Sequence, residues 1–104
     1  MHLYRYAAVI LLFAVTATAQ DDPAALAASA GCGACHQAEK AMMGPSWQAV
    51  ADRYSDEESV LATLQDRMRA GSQGRWGKPP MQPVTPEQLT DHELSAVLEW
   101  ILSR

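Results

Sequence analysis

The five residues Cys32-Gly33-Ala34-Cys35-His36 constrain this chain more than any other stretch, because they hold its only two cysteines and end on an imidazole. Two thiols three positions apart sit on one turn of chain and face the same object. Three chemistries use such a pair: a thiol–disulfide couple, half of a zinc site, and covalent attachment of a cofactor. Each demands different surroundings, so the remaining residues discriminate among them.

A thioredoxin-like couple needs β-strands around its cysteines. No alternating run of branched or aromatic residues occurs, and the apolar positions recur at helical spacing instead. The expected fold is therefore all-α. A zinc site needs four ligands, usually cysteine and histidine, and beyond the pentapeptide and the leader's His2 the chain offers the distant His92, with no second pair at ligand spacing. His92 reads as a surface residue in the first turn of the last helix.

Residues 1–19 differ from the rest of the chain. Arg5 is their only charge, an apolar run extends from Ala7 to Val15, and Ala17-Thr18-Ala19 has the small-x-small form of a cleavage site. The uncharged run is shorter than the ~20 apolar residues a bilayer span requires. The expectation is a cleaved signal peptide over residues 1–19, a single exported domain over residues 20–104, a periplasmic location and no stable membrane insertion after cleavage. The leader removes Arg5 but no acid, leaving seven basic against twelve acidic residues, a balance of −5. An acidic domain is an unlikely partner for nucleic acid. A domain this small buries only about 60% of its unfolded surface and profits from a staple such as a bound cofactor.

Along that domain the spacing predicts four helical segments. Asp22 and Pro23 suit a cap and first residue, followed by Ala24 to Ala30, with Gly31 as a left-handed stop. Trp47, Val50, Ala51 and Tyr54 fall on one face and read as core. Ser55 and Glu58 have capping-box spacing ahead of the stripe Val60, Leu61, Leu64 and Met68, with Gly71 as the stop and Met68 as a core residue. Thr90 and Glu93 repeat that spacing before Leu94, Val97, Leu98 and Ile101, a helix expected to pack on the first. Between Gly71 and Pro86 lies an aperiodic loop rich in glycine and proline.

In this context the pentapeptide is read as a c-type haem attachment site. Cys32 and Cys35 add to two vinyl groups, and His36 then lies under the iron as its ligand. The iron's other face must be filled from far along the chain, since neighbours of His36 stay on its own side; this sets aside Met42 and Met43. Met81, in Pro79-Pro80-Met81-Gln82-Pro83, is the candidate, a soft thioether in a loop stiffened by proline. With both axial positions filled the iron suits a one-electron carrier better than a catalyst. An open or displaceable sixth position, as in a haem enzyme or gas sensor, and a haem-free thiol oxidoreductase remain as alternatives.

Beyond the pentapeptide, Met43-Gly44-Pro45, Gly71-Ser72-Gln73-Gly74-Arg75-Trp76-Gly77 leading to Pro80-Met81, and the closing Glu99-Trp100-Ile101-Leu102-Ser103 extend the pattern over residues 22–104. With them the chain resembles the small class I cytochromes c of bacterial respiratory chains, the short-loop kind that donates electrons to periplasmic nitrite reductases or terminal oxidases. The resemblance implies the class I cytochrome c fold, one haem c with its iron, and redox proteins as donors and acceptors: a respiratory complex, a reductase or an oxidase. It implies that the Pro45 carbonyl accepts a hydrogen bond from His36, and that Arg67 and Trp76 serve a haem propionate. The chain departs from the family in having Leu26 as the largest side chain of its first helix, where an aromatic is common, and Val84 where an asparagine often follows the methionine. Arg67, Arg69, Arg75 and Lys78 occupy a stretch without acids between Asp66 and Glu87, which suggests a positive rim facing negatively charged partners.

Overall fold

The computed structural model describes residues 9–14 and 22–104. Val9 to Phe13 are exposed and belong to no helix or strand. The rest of the leader, and its cleavage point after Ala19, lie outside the described residues. No helix among the described residues is long and apolar enough to cross a membrane.

Helix α1 (Pro23–Ser29) starts at Asp22, whose carboxylate accepts from the Ala25 N–H at 3.2 Å, with proline where its missing N–H costs nothing. Gly31, at φ +82°, turns the chain out of it directly into a single 3₁₀ turn, Cys32–Ala34. Helix α2 (Trp47–Tyr54) is capped by the buried Ser46, which accepts from the Ala49 N–H at 3.0 Å. Helix α3 (Val60–Ala70) ends at Gly71, at φ +83°. Helix α4 (Asp91–Leu102) carries a complete capping box: Thr90 Oγ1 accepts from the Glu93 N–H and Glu93 Oε1 from the Thr90 N–H. No strand occurs among the described residues; their one isolated bridge pairs Ser72 with Met81.

The capping box expected at Ser55 and Glu58 does not form. Ser55 has helical backbone angles, φ −62° and ψ −26°, and its N–H donates to the Ala51 carbonyl at 2.8 Å, so it finishes α2. An N-cap needs an extended backbone to aim its oxygen at the next turn, which Ser55 lacks. Helix α3 begins after Ser59, which is left-handed at φ +62° and caps nothing with its side chain.

Helix α4 is the organising element. Its Leu94, Val97, Leu98 and Ile101 are buried, and it packs against α1, α2 and α3. Burying each such side chain is worth about 1.5–3 kcal/mol. Ala27 of α1 is buried while Leu26 is only partly so, and the small α1 residues let that helix lie close to α4. Tyr54 of α2, Val60 and Leu64 of α3, Val84 and Leu89 complete the core, and Met68 packs against it from the side. These helices do not close completely. They leave a cavity of about 440 Å³ bounded by the pentapeptide, α2, α3, α4 and the loop from Ser72 to Val84.

Candidate functional site

Cys32, Cys35, His36, Pro45, Arg67, Trp76 and Met81 all line this one cavity. The proximal wall is built locally. The His36 N–H donates to the Cys32 carbonyl at 3.0 Å, wrapping the pentapeptide into a turn and leaving both cysteines half-buried. Gly44 N–H to Cys35 O and Trp47 N–H to Gln37 O, both 2.9 Å, fold the next ten residues back over it.

That fold brings the Pro45 carbonyl within 2.7 Å of His36 Nδ1. A carbonyl can only accept, so Nδ1 carries the proton and Nε2 keeps its lone pair. Buried Gly44 passes so near the ring that a Cβ there would come within 2.5 Å of Cε1 and 2.8 Å of Nδ1, so no larger residue fits. Trp47 stacks on the same imidazole, its centroid 4.5 Å away and its plane tilted by 17°.

The distal wall is a loop. Ser72 and Met81 exchange both backbone hydrogen bonds, at 3.1 and 2.7 Å, and the Val84 N–H donates to Met68 O at 2.8 Å. Met81 is half-buried between those ties. Gly71 is required here on two counts: its positive φ, and the Met81 carbonyl 3.0 Å from where a Cβ would stand. Val84, at the position where the family often has asparagine, is buried and offers its side chain only as packing.

A third wall is aromatic and cationic. Tyr54 and Trp76 meet edge to face at 6.1 Å. Arg67 Nη1 donates to the Tyr54 hydroxyl at 3.4 Å, while the Arg53 guanidinium stacks over Trp76 at 4.5 Å and donates to the Arg75 carbonyl at 3.1 Å. Arg67, Arg75 and Lys78 line the cavity and, among the described residues, no carboxylate does, although the chain as a whole is acidic. Arg69 is no part of this rim. It donates to the carbonyls of Val84 and Leu89 and pairs with Asp91 at 2.7 Å, tying α3 to the start of α4.

Tyr54, Trp47 and Val50, read from sequence as core, do pack into it and in addition line the cavity, whereas Arg53 carried no sequence signal at all. A hydroxyl closing an apolar stripe could have flagged Tyr54. Arg53 could not be found because its carbonyl partner is 22 residues away.

Burial pushes the Cys32 thiol above its ordinary pKa, and the neighbouring Cys35 adds to the rise. Redox-active pairs work through a thiolate stabilised below the ordinary value, so this environment opposes a thiol oxidoreductase.

The model of the family described as Cytochrome c matches residues 21–104. Cytochrome c2 of Rubrivivax gelatinosus is 42% identical over 80 residues, covering 77% of this chain and 94% of that protein. Cytochrome c-551 of Pseudomonas aeruginosa is 36% identical over 103 residues, covering 95% and 96%. The chain belongs to the cytochrome c family. The crystal structure of Nitrosomonas europaea cytochrome c552 superimposes with a TM-score of 0.70 at 35% identity, covering 77% of this chain and 96% of that one. The fold is that of the class I cytochromes c.

A cytochrome c carries one covalently attached haem c with its iron and transfers electrons between redox partners rather than catalysing a reaction. The cavity fits that group. Its volume lies in the roughly 300–1,000 Å³ range of sites that enclose a cofactor-sized ligand. Its mostly apolar wall suits a flat macrocycle, two thiols and an imidazole whose Nε2 makes no hydrogen bond border it together, and no carboxylate among the described residues joins its cations there.

Proposed function

We propose that this cytochrome c is an exported one-electron carrier in which His36 and Met81 would hold the haem iron. The observation that carries the reading is that Cys32, Cys35 and His36, contiguous in sequence, share one cavity with Met81 from a loop 45 residues further on. When bound, haem supplies an iron that cycles between ferric and ferrous states.

Cys32 and Cys35 would hold the haem covalently, each thiol adding its S–H across one vinyl group to give a thioether with no leaving group. Pro45 holds the Nδ1 proton and thereby presents Nε2 as the ligand. Met81 would supply a thioether that favours the ferrous state, and the flanking prolines limit the freedom of its loop. Arg67 and Trp76 serve the propionates, with Tyr54 orienting the Arg67 guanidinium.

Residues 1–19 act as a cleaved leader, placing residues 20–104 in the periplasm. There the carrier links a respiratory complex to a reductase or oxidase. Arg67, Arg75 and Lys78 at the cavity steer it onto acidic partner surfaces, giving fast, weak encounters whose rate falls as salt rises. A salt-independent electron-transfer rate would remove this part of the reading.

The deciding experiment is expression of the full chain in a bacterium able to mature c-type haem, with spectra of both oxidation states for the wild type and Met81→Ala. The expected outcome is a weak far-red sulfur-to-iron band in the oxidised wild type that the variant loses, and a mature mass beginning at Gln20 with one haem added. Bound haem without that band, taking up carbon monoxide readily, would instead mean an open sixth position and a sensor or enzyme.

A further inference from the structure

Three contacts reach the His36 imidazole, and the Pro45 hydrogen bond is only one of them. A hydrogen bond at Nδ1 fixes one atom of the ring but leaves the ring able to rock about the axis through that atom and its acceptor. Gly44 abuts the ring closely but presents only backbone to it. The contact that opposes rocking is Trp47, whose indole lies nearly parallel to the imidazole with centroids 4.5 Å apart.

Trp47 is itself held from two directions. Its N–H donates to the Gln37 carbonyl, next in chain to His36, and its ring meets Trp100 of α4 edge to face at 6.0 Å. The Arg104 guanidinium covers Trp100 in turn, 5.1 Å from its centroid. The stack therefore links the imidazole to the helix that organises the fold.

We infer that Trp47 is a positioning residue for the iron ligand: its indole sets the plane of the His36 ring and stabilises positive charge on it, favouring the ferric state. This rests on the reading of His36 as a ligand. The face of an indole is the negative end of its quadrupole, and an imidazole coordinated to ferric iron bears more positive charge than one coordinated to ferrous iron. A face-on contact of this kind changes the balance by about two- to five-fold, the equivalent of an exposed cation–π contact.

The test uses the mature holoprotein with Trp47→Leu and Trp47→Phe. Redox titration reads the ferrous-to-ferric ratio at a fixed ambient potential, and proton NMR of the ferric form reads the order and spread of the haem methyl resonances, which follow the ligand plane. In Trp47→Leu the ratio rises about two- to five-fold and the methyl pattern changes. Trp47→Phe, still aromatic but with a weaker face, gives a smaller rise in the same direction and a pattern nearer the wild type. An unchanged ratio and pattern in folded Trp47→Leu would reduce Trp47 to packing and overturn the inference. If Trp47→Leu yields no folded holoprotein, Trp47→Phe decides on the same two readouts. His36→Ala separates the two readings: retention of the wild-type low-spin spectrum would overturn His36 as ligand, whereas its loss alongside silent Trp47 variants overturns the positioning role alone.

Discussion

The two sides of the cavity are built by opposite means. On the proximal side everything that handles the His36 ring, from Cys32 to Trp47, lies within sixteen residues and is tied by short-range backbone hydrogen bonds. On the distal side Met81 is held by a single two-bond bridge to Ser72, and its loop by Val84 reaching back to Met68 of α3. The proximal wall is rigid because its constraints are local and redundant. The distal wall is only as firm as the helices it hangs from, and the loop between Ser72 and Met81 contains no helix of its own.

Gly44→Ala tests the rigid side most severely. The new methyl enters the space of the imidazole ring, at 2.5 Å from Cε1, with Trp47 stacked on that ring. Overpacking at such a site costs about 3 kcal/mol. Thermal or denaturant unfolding of the holoprotein should show that loss, together with reduced haem incorporation. A near-neutral result would mean the proximal wall yields, and the contrast between the two sides would fail.

Arg69→Met comes next and attacks the distal side through its anchor. It strands the carbonyls of Val84 and Leu89 and removes the Asp91 pair, at a cost of about 2–3 kcal/mol, because a carbonyl losing a charged donor forfeits more than a surface ion pair returns. The far-red band should become weaker or more easily lost on warming, since Val84 sits three residues from Met81. Loss of stability with an unaltered band would show that the Met81 loop does not depend on α3.

Gly71→Ala is expected to cost about 2 kcal/mol, from placing a side chain at a positive φ with an extended ψ. The new Cβ would also stand 3.0 Å from the Met81 carbonyl, so the loop must give way to admit it. The comparison sharpens if this variant destabilises less than Gly44→Ala yet disturbs the far-red band more.

The smallest effect lies outside both walls. Thr90→Ala should remove about 1 kcal/mol at the start of α4. The hydrogen bond from the Thr90 N–H holds the Glu93 carboxyl below the usual carboxylate range, aided by the Thr90 hydroxyl. A carboxylate with a depressed folded-state pKa stabilises the fold above its unfolded value and loses that contribution as pH falls through the folded one. Acid titration of stability should therefore show a slight loss in that window for the wild type and a smaller one for Glu93→Gln. An identical acid limb in both would remove Glu93 from the capping account.

Legibility from sequence followed the range of the interactions. The caps at Asp22 and Thr90, the stop at Gly31 and the core stripe of α4 depend on neighbours three or four positions away, so spacing revealed them. The box at Ser55 and Glu58 had the right spacing as well, but spacing reports which residues can meet and not which backbone conformation they adopt. Ser55 stayed helical and finished α2 instead. Arg69 was grouped with the positive rim by its place in the sequence, whereas α4 brings Asp91 and the Leu89 carbonyl to it.

The sequence by itself determined the helical class and singled out the Cys32–His36 pentapeptide and the Met81 loop, both of which border the cavity, because residue spacing and helical period are properties of the chain. The tertiary structure alone decided that Trp47 stacks on His36, that Tyr54 orients Arg67, that Arg53 covers Trp76 and that Arg69 serves the fold rather than the rim. Trp47 is eleven residues from His36 and the other pairs are 13 to 23 residues apart, too far along the chain to touch within one helix or strand. Only the folding of α2, α3 and the distal loop around α4 brings them into contact.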